Sequence, residues 1–366
     1  MAGAATVLRL GLALAAAGAI FAAPILTLPG VALALLVGGC TAWVRLSSRG
    51  VTARRRGVPA RVTEGERFEI VIEGVSGRLP LLARIDDDAA AAPQRLRVMR
   101  PRTHFTVRLE GSFARRGRRR LAAPVLRIAD PLGIAARTIA TGTPGTILVL
   151  PRVEPLGGHP GEDGPALGRG SRGLGELAIG GGRESATDPE IDGIRPYRPG
   201  TKATRIYWPA LARGAGLVER QIVAAGDAAP LIALDPSGAA SKADLDRAAR
   251  AAASLMAHLA RVGGCEVLVA GSPRRIAVGP DPRAWTSALA ALAVVEATDG
   301  PPRLSLGDLR TSVIWVAASP SARPPPGVAQ GFIVTPRAPG EGPVGFAVAG
   351  CGGRALARGV PVEAAA

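Results

Sequence analysis

The chain begins with a long apolar stretch that carries no charged side chain from Leu10 to Val44. One membrane span needs about 20 apolar residues, so this stretch is long enough for two. Its prolines lie near its middle, where they interrupt the pattern. The pattern predicts a transmembrane helical hairpin within residues 1–46, with helices at Ala4 to Ala23 and Ile25 to Val44 and a turn at Pro24 to Gly30.

A cleaved signal peptide is the alternative for the first apolar segment. Arg9 would then end the basic region, and Ala17 to Ala19 would supply small residues for cleavage. The second apolar segment would still anchor the chain in a membrane. Both interpretations remain open at this point.

Alternating apolar and polar residues follow between residues 58 and 150, with turn residues between the runs. A period of two is typical of strands with one buried face, so we expect a β-rich, sandwich-like domain over 58–150. Four runs carry the pattern: Arg67 to Gly74, His104 to Gly111, Pro124 to Asp130 and Thr146 to Pro151.

The last part of the chain, residues 227–366, alternates short apolar runs with helical patterns. The run Ala229 to Asp235 is followed by an Ala-rich helix at Lys242 to Val262 and by a second strand at Cys265 to Gly271. This succession predicts an α/β doubly wound domain, a mainly parallel sheet with helices on both faces. Ligands of such folds bind at the carboxyl ends of the strands, which directs attention to Asp235 and Ser319.

Positive charge is concentrated in the region after the apolar segments. The chain has a net charge of +16, and residues 45–150 hold 21 arginines against 9 acidic residues. Aromatic residues make up only 3% of the chain, which leaves few platforms for stacking bases. We therefore expect no nucleic-acid partner and assign the charge to anionic lipid headgroups near Arg54 to Arg56. A basic juxtamembrane nucleic-acid binder is an alternative.

The arginines directly after the second apolar segment also predict the orientation. They flank its end, while the turn between the predicted helices carries no charge, so both ends of the hairpin should face the cytosol. The three cysteines, Cys40, Cys265 and Cys351, do not form a disulfide framework, although one bond between Cys265 and Cys351 stays open.

A Gly- and Pro-rich linker over residues 151–226 ends in a stretch with a distinctive arrangement of Arg, aromatic and Gly residues. This stretch, together with ARRGRRRLAAPVLRIADPLGI and ILVLPRVEPL upstream of it, resembles the bacterial family catalogued as domain of unknown function fifty-eight. The resemblance covers most of the chain from about residue 45. One difference is Thr201, where the family usually has Asp. The residues that carry the resemblance in the stretch are Glu190, Arg195, Tyr197, Gly200, Arg205, Ile206, Trp208, Ala212, Arg213, Leu217 and Glu219.

The resemblance implies a membrane-anchored bacterial protein with an N-terminal pair of helices, a β-rich region and a domain similar to von Willebrand factor type A. Members of the family are associated with MoxR-type AAA+ ATPases in the maturation or assembly of other proteins. A MoxR-type ATPase and a client protein are therefore the expected partners, at the cytosolic face of the bacterial inner membrane.

Type A domains often hold Mg²⁺ through Asp-x-Ser-x-Ser at the end of their first strand, and oxygen ligands suit this ion. This chain has Asp235 and Ser237 at the first two positions, but Ala239 at the third. The resemblance thus implies a degenerate metal site. The alternative is that Asp235 and Ser237 cap the following helix or order the loop before it.

Two interpretations apply to the Arg and aromatic residues of the stretch. They form either a face that binds a protein partner or a clamp between domains, in which Trp208 and Ile206 are buried and Arg205 and Arg213 pair with Glu190, Asp192 or Glu219. Three widely spaced histidines and the lack of catalytic motifs predict a non-enzymatic adaptor. The alternative is a metal-dependent hydrolase or transferase that uses Asp235 and Asp192.

Overall fold

The computed structural model describes most of the chain, with gaps mainly in the Gly- and Pro-rich regions. The described residues are 2–98, 100–156, 191–196, 208, 213–214, 216–222, 229–300, 312–323, 330–337, 345–357 and 360–361. They divide into two compact units, Met1–Val149 and Leu150–Ala366.

Two helices begin the first unit. Helix α1 covers Ala2–Ile20 and α2 covers Pro24–Ser48. The described helix that is long and apolar enough to cross a membrane is α2, whereas the apolar part of α1, Ala4–Ile20, is shorter. The predicted turn at Pro24 to Gly30 is wrong, because the turn lies at residues 21–23 and α2 continues through Pro29.

Close packing against α1 explains why Gly30 belongs to a helix rather than to a turn. A methyl group added at Gly30 would overlap the backbone nitrogen of Ala15 and lie 2.7 Å from the carbonyl oxygen of Gly11. Gly18 lies equally close to Thr27, 2.5 Å from its backbone nitrogen by the same measure. Small residues at such positions let two helix backbones approach each other.

The rest of the first unit is β-rich, as predicted, with three small sheets in the orders β1-β3-β6, β2-β10-β7 and β5-β4-β8-β9. All four predicted strands agree with the structure within one residue at each end. The ten strands are β1 Thr52–Arg56, β2 Arg61–Thr63, β3 Phe68–Val75, β4 Leu81–Asp86, β5 Gln94–Val98, β6 His104–Gly111, β7 Gly117–Leu121, β8 Val125–Ala129, β9 Ala136–Ala140 and β10 Gly145–Leu150.

The core of this unit includes the end of α2. Cys40 and Val44 are buried in the same cluster as Val51, Ile70 and Ile72, so the β-rich fold begins inside the helix rather than at residue 58. Alternation makes this core possible, since the inward positions of β6 are buried and the outward ones exposed.

A buried carboxylate joins α2 to the loop between β8 and β9. Asp130 accepts hydrogen bonds from the amides of Leu132 at 2.8 Å and Ala135 at 2.5 Å, and it also bonds the thiol of Cys40. Burial raises the pKa of Asp130, but these hydrogen bonds outweigh it, so the pKa lies below its ordinary value. The ionised carboxylate therefore orders the loop beside the helix.

The second unit contains a mixed sheet, rather than the mainly parallel one predicted, in the order β15-β14-β13-β16-β17-β19-β18, with β20 beside β19. Strands β14, β13, β16 and β17 are parallel neighbours, and the others pair antiparallel. The elements of this sheet are β13 Leu231–Asp235, α3 Lys242–Val262, β14 Cys265–Val269, β15 Ile276–Val278, α4 Pro282–Ala293, β16 Val313–Ala317, β17 Gln330–Pro336, β18 Phe346–Val348, β19 Cys351–Ala357 and β20 Val360–Pro361.

Both described helices of this unit cover the same face of the sheet. Helices α3 and α4 pack on the side of Ile232 and Leu234, whereas the other face buries Leu231 and Trp315. Helices were predicted on both faces, and within the described residues they are found on one. Strands buried on both faces explain why β13 and β16 are continuous apolar runs.

We predict that Gly30→Ala weakens the pairing of α1 with α2 by about 1–3 kcal/mol, because the new methyl group meets backbone atoms that have no room to move. Unfolding of the full-length protein by SDS in mixed micelles, followed by far-UV circular dichroism, measures the effect. Gly38→Ala is the matched control, since nothing lies within 4 Å of a methyl group at that position. Equal midpoints for the two variants would contradict the close packing.

Candidate functional site

The carboxyl ends of two neighbouring parallel strands bring the predicted site residues together. Asp235 ends β13 and lies opposite Ala317 of β16, and its carbonyl oxygen accepts the amide of Ala318 at 2.9 Å. Gly238 then turns with a positive φ of 61°, and a methyl group placed on it would lie 3.6 Å from the hydroxyl oxygen of Ser319. Asp235 and Ser319 thus share one edge of the sheet, as predicted.

The carboxylate of Asp235 orders the turn that follows it. Ser237 donates to Oδ1 of Asp235 twice, from its amide at 3.0 Å and from its hydroxyl at 2.6 Å. Both residues are buried, with 3% and 9% of their surface exposed. Helix α3 is capped by Ser241 instead, whose hydroxyl oxygen accepts the amide of Asp244. Loop ordering is therefore the observed role, and capping by Asp235 or Ser237 is wrong.

A threonine that the sequence did not single out reaches the same edge. The amide of Thr298 donates to the carbonyl oxygen of Pro236 at 3.4 Å, and Thr298 forms a β-bridge with Ser237. Thr298 follows α4 in a segment without strand or helix periodicity, so only the fold brings it here. Ser319 and Ser321 add two more hydroxyl groups, 3.2 Å apart.

This edge offers the hydroxyl oxygens of Ser237, Ser319 and Ser321 and the buried carboxylate of Asp235. Within the described ranges, no three His, Cys, Asp or Glu side chains lie close enough together to hold a metal ion. Ala239 supplies no side-chain oxygen, and the hydroxyl proton of Ser237 is directed at Asp235. Mg²⁺ would therefore depend on water and on a carboxylate from another molecule. The geometry suits hydrogen bonding to a partner's polar groups better than tight metal binding.

The stretch that carries the family resemblance contains a two-stranded antiparallel sheet. Strand β11 covers Ile191–Pro196 and β12 covers Val218–Ile222, and their register places Arg195 opposite Glu219. Pairing with Glu219 was predicted for Arg205 and Arg213, not for Arg195. Asp192 also lies in β11, in a different sheet from Asp235, its predicted partner in catalysis.

The exposure of Trp208 contradicts the clamp interpretation, which requires this side chain to be buried. More than half of its surface is exposed, 56%, so the burial predicted for it is wrong. Arg213 is exposed as well. The remaining predicted residues, Glu190, Tyr197, Gly200, Arg205 and Ile206, lie outside the described residues.

A cleft on the outer side of α3 is a feature that sequence patterns did not reveal. Its volume is about 260 Å³. Residues 153–156 form one wall, and Ser254, Ala257, His258 and Arg261 of α3 form the other. Residues 151–156, predicted as part of a linker, thus pack on the sheet unit, where the amide of Glu154 donates to Ser254 at 2.8 Å.

The ionisable groups of this cleft do not form a catalytic arrangement. Burial lowers the pKa of His258, and the positive charge of Arg261 lowers it further. Ser254, the hydroxyl in the cleft, already donates to the carbonyl oxygen of Arg250 at 2.7 Å. Neutral His258 therefore lies beside a serine whose proton is already engaged.

The cysteines are separate from one another. All three are free, so the bond between Cys265 and Cys351 that the sequence left open is absent. Burial raises the pKa of both thiols to about 12. Thiols with such pKa values remain protonated at neutral pH and act as core residues.

The structure changes the assignment of headgroup contacts to Arg54 to Arg56. Arg55 is buried in an ion pair with Asp87, at 2.8 Å, and also donates to the carbonyl oxygen of Ala122. Arg56 is exposed but pairs with Glu73. Arg54 is the exposed residue of the three without such a pair in the described part of the chain.

No protein-family model matches the chain, and no curated protein matches it. Among solved structures, the CARDB domain of a Pyrococcus furiosus protein is 12% identical, with a TM-score of 0.19 over 27% of this chain and 94% of that one. A β-glucosidase from Listeria innocua in complex with isofagomine is 11% identical, with a TM-score of 0.15 over 27% of this chain and 16% of the enzyme. Likenesses this weak assign neither a fold nor a function.

We predict that Ser237→Ala lowers the stability of the protein by about 1.5–3 kcal/mol, because a buried carboxylate loses a short hydrogen bond. Chemical denaturation of the full-length protein in detergent measures the loss, and Ser287→Ala, at an exposed serine, is the control. Millimolar Mg²⁺ should leave the midpoint of the wild type unchanged. Stabilisation by Mg²⁺ that disappears in Asp235→Asn would contradict the loop-ordering role and support a metal site.

Proposed function

We propose that the chain is a membrane-anchored, non-enzymatic adaptor that binds protein partners and works with a MoxR-type AAA+ ATPase in the maturation or assembly of a client protein. The observation that carries the proposal is the large exposed side chain of Trp208 within the stretch that resembles the family. Exposed tryptophan is costly in water and is enriched among the residues that dominate protein interfaces.

The anchor is the first part of this proposal. Helix α2 has the length and composition of a membrane span, and α1 packs against it through Gly11, Gly18 and Gly30. A pair of helices joined by an uncharged turn, with Arg45 in the last turn of α2 and Arg49 directly after it, favours two spans with both ends in the cytosol. The anchor would hold the protein at the inner membrane of a bacterium.

The second part concerns the sheet with four parallel central strands, which we interpret as a von Willebrand factor type A-like domain. Support comes from the strand order around β13 and from the position of Asp235, Ser237 and Thr298 at the carboxyl edge. The buried carboxylate of Asp235, engaged by Ser237 among further hydroxyl groups, favours a surface that recognises a partner over one that turns over a substrate. Any Mg²⁺ at this edge would be completed by the partner's own carboxylate.

Co-purification of the partner tests the proposal. We predict that a MoxR-type ATPase co-purifies with the full-length protein from native membranes, and that Trp208→Ala reduces its recovery by roughly tenfold or more, as expected for an interface tryptophan. Quantitative mass spectrometry of the purified material measures the recovery.

The control is Val294→Ala, which shortens another exposed apolar side chain of the same unit. It should leave the recovery unchanged. An ATPase that stays bound to the Trp208→Ala variant would remove this residue from the interface, and absence of the ATPase from every preparation would contradict the adaptor function.

A further inference from the structure

The acidic residues of the β-rich unit are concentrated at one of its two ends. Seven of the nine acidic residues between positions 45 and 150 lie in or beside the strand ends and loops farthest from α2. Of the other two, Glu73 is paired with Arg56, and Asp130 is buried near α2. The seven are Glu64, Glu66, Glu69, Asp86, Asp87, Asp88 and Glu110.

The end nearest α2 is defined by three contacts with the last turns of the helix. Asp130 bonds the thiol of Cys40, and Arg137 donates to the hydroxyl of Ser48 at 3.2 Å. Gly77, after β3, lies so close to the carbonyl oxygen of Ser47 that a methyl group would overlap it. The loops after β3 and β8 thus surround the point at which α2 joins the β-rich unit.

A third loop belongs to the same end. The amide of Arg102 donates to the carbonyl oxygen of Gly77 at 2.9 Å, and the hydroxyl of Ser76 donates to the carbonyl oxygen of Arg100 at 3.1 Å. This end of the unit therefore carries six exposed arginines and, among its described residues, no exposed acidic residue. We call them the α2-end surface: Arg45, Arg49, Arg78, Arg100, Arg102 and Arg137.

An exposed apolar residue lies on the same surface. Leu132 is 64% exposed at the tip of the loop that Asp130 fixes beside Cys40. From Pro24 to Trp43, α2 spans about 30 Å, the thickness of the hydrocarbon core of a bilayer. Cys40 is within one turn of that boundary, so Leu132 would lie at the depth of the interface and the arginines at the depth of the headgroups.

We propose that the α2-end surface docks on a bilayer that contains anionic phospholipids, with Leu132 entering the interface. This inference rests on the proposal that α2 crosses the membrane. Continuity with α2 and the exposed leucine favour a lipid surface over nucleic acid, because a nucleic-acid backbone would gain from the charge but not from the apolar tip. The contact would hold the β-rich unit in one orientation at the membrane.

Spin-labelled lipids test the charge. The full-length protein is reconstituted in phosphatidylcholine vesicles, and the fractions of spin-labelled phosphatidylglycerol and phosphatidylcholine that it immobilises are compared by electron paramagnetic resonance. We expect the wild type to prefer phosphatidylglycerol. Arg78→Gln/Arg100→Gln/Arg102→Gln should reduce this preference by roughly threefold or more, since each arginine near the surface attracts anionic lipid.

The matched control removes three exposed arginines elsewhere. Arg118→Gln/Arg119→Gln/Arg120→Gln changes β7, which ends beside Ala122, the residue whose amide donates to Asp88 at the opposite end. It should keep the preference for phosphatidylglycerol. Equal losses in both variants, or no loss in either, would overturn the proposal. Salt-sensitive RNA binding that only the first variant loses, without a change in lipid preference, would overturn it as well.

A fluorophore on Leu132→Cys tests the apolar contact independently of the charge variants. Quenchers attached to lipid chains should quench it more strongly than the same fluorophore on Ala92→Cys, an exposed position at the opposite end. Equal quenching at the two positions would overturn the docking. A protein that alkaline carbonate extracts from the vesicles would show instead that α2 is not a span, which separates failure of the anchor from failure of the surface.

Discussion

The structure of the first unit depends on the burial of the last turns of α2 in the β-rich core. Cys40 and Val44 pack with Val51 and the inward residues of β3, so the helix that has the composition of a membrane span is also a core element of the domain that follows. A flexible linker would let the domain turn freely, whereas shared packing fixes which loops lie beside the helix. The arginine-rich surface around α2 is a consequence of this shared packing.

Period-two and helical patterns predicted most elements of both units. Strand β6 and helix α3 have the predicted bounds, because alternation in one and an amphipathic, Ala-rich run in the other reflect burial directly. Pro29-Gly30 misled the prediction, since a local pattern cannot show that Gly30 faces another helix. The shared core of α2 and the strands was also beyond prediction, because it depends on contacts between residues distant in sequence.

The candidate site was predictable in part. Asp235 and Ser319 could be placed at one edge, because the carboxyl ends of neighbouring parallel strands meet there. Thr298 was missed, since it lies in an irregular segment that only the sheet brings to Ser237. Likewise, arginines close in sequence proved to have different environments: Arg55 is buried with Asp87, and Arg54 is exposed. Composition gives the number of charges, and only packing shows which of them face the outside.

The most direct test of the shared core compares Val44→Ala with Leu46→Ala. Val44 is 3% exposed and Leu46 is 41% exposed, although both lie in α2 within one turn. If α2 completes the β-rich core, Val44→Ala should reduce the protection of the β3 and β6 amides against hydrogen exchange in the full-length protein by roughly 2 kcal/mol, and Leu46→Ala should leave it unchanged. Unchanged protection in both variants would show that α2 is only a tether and would contradict the account.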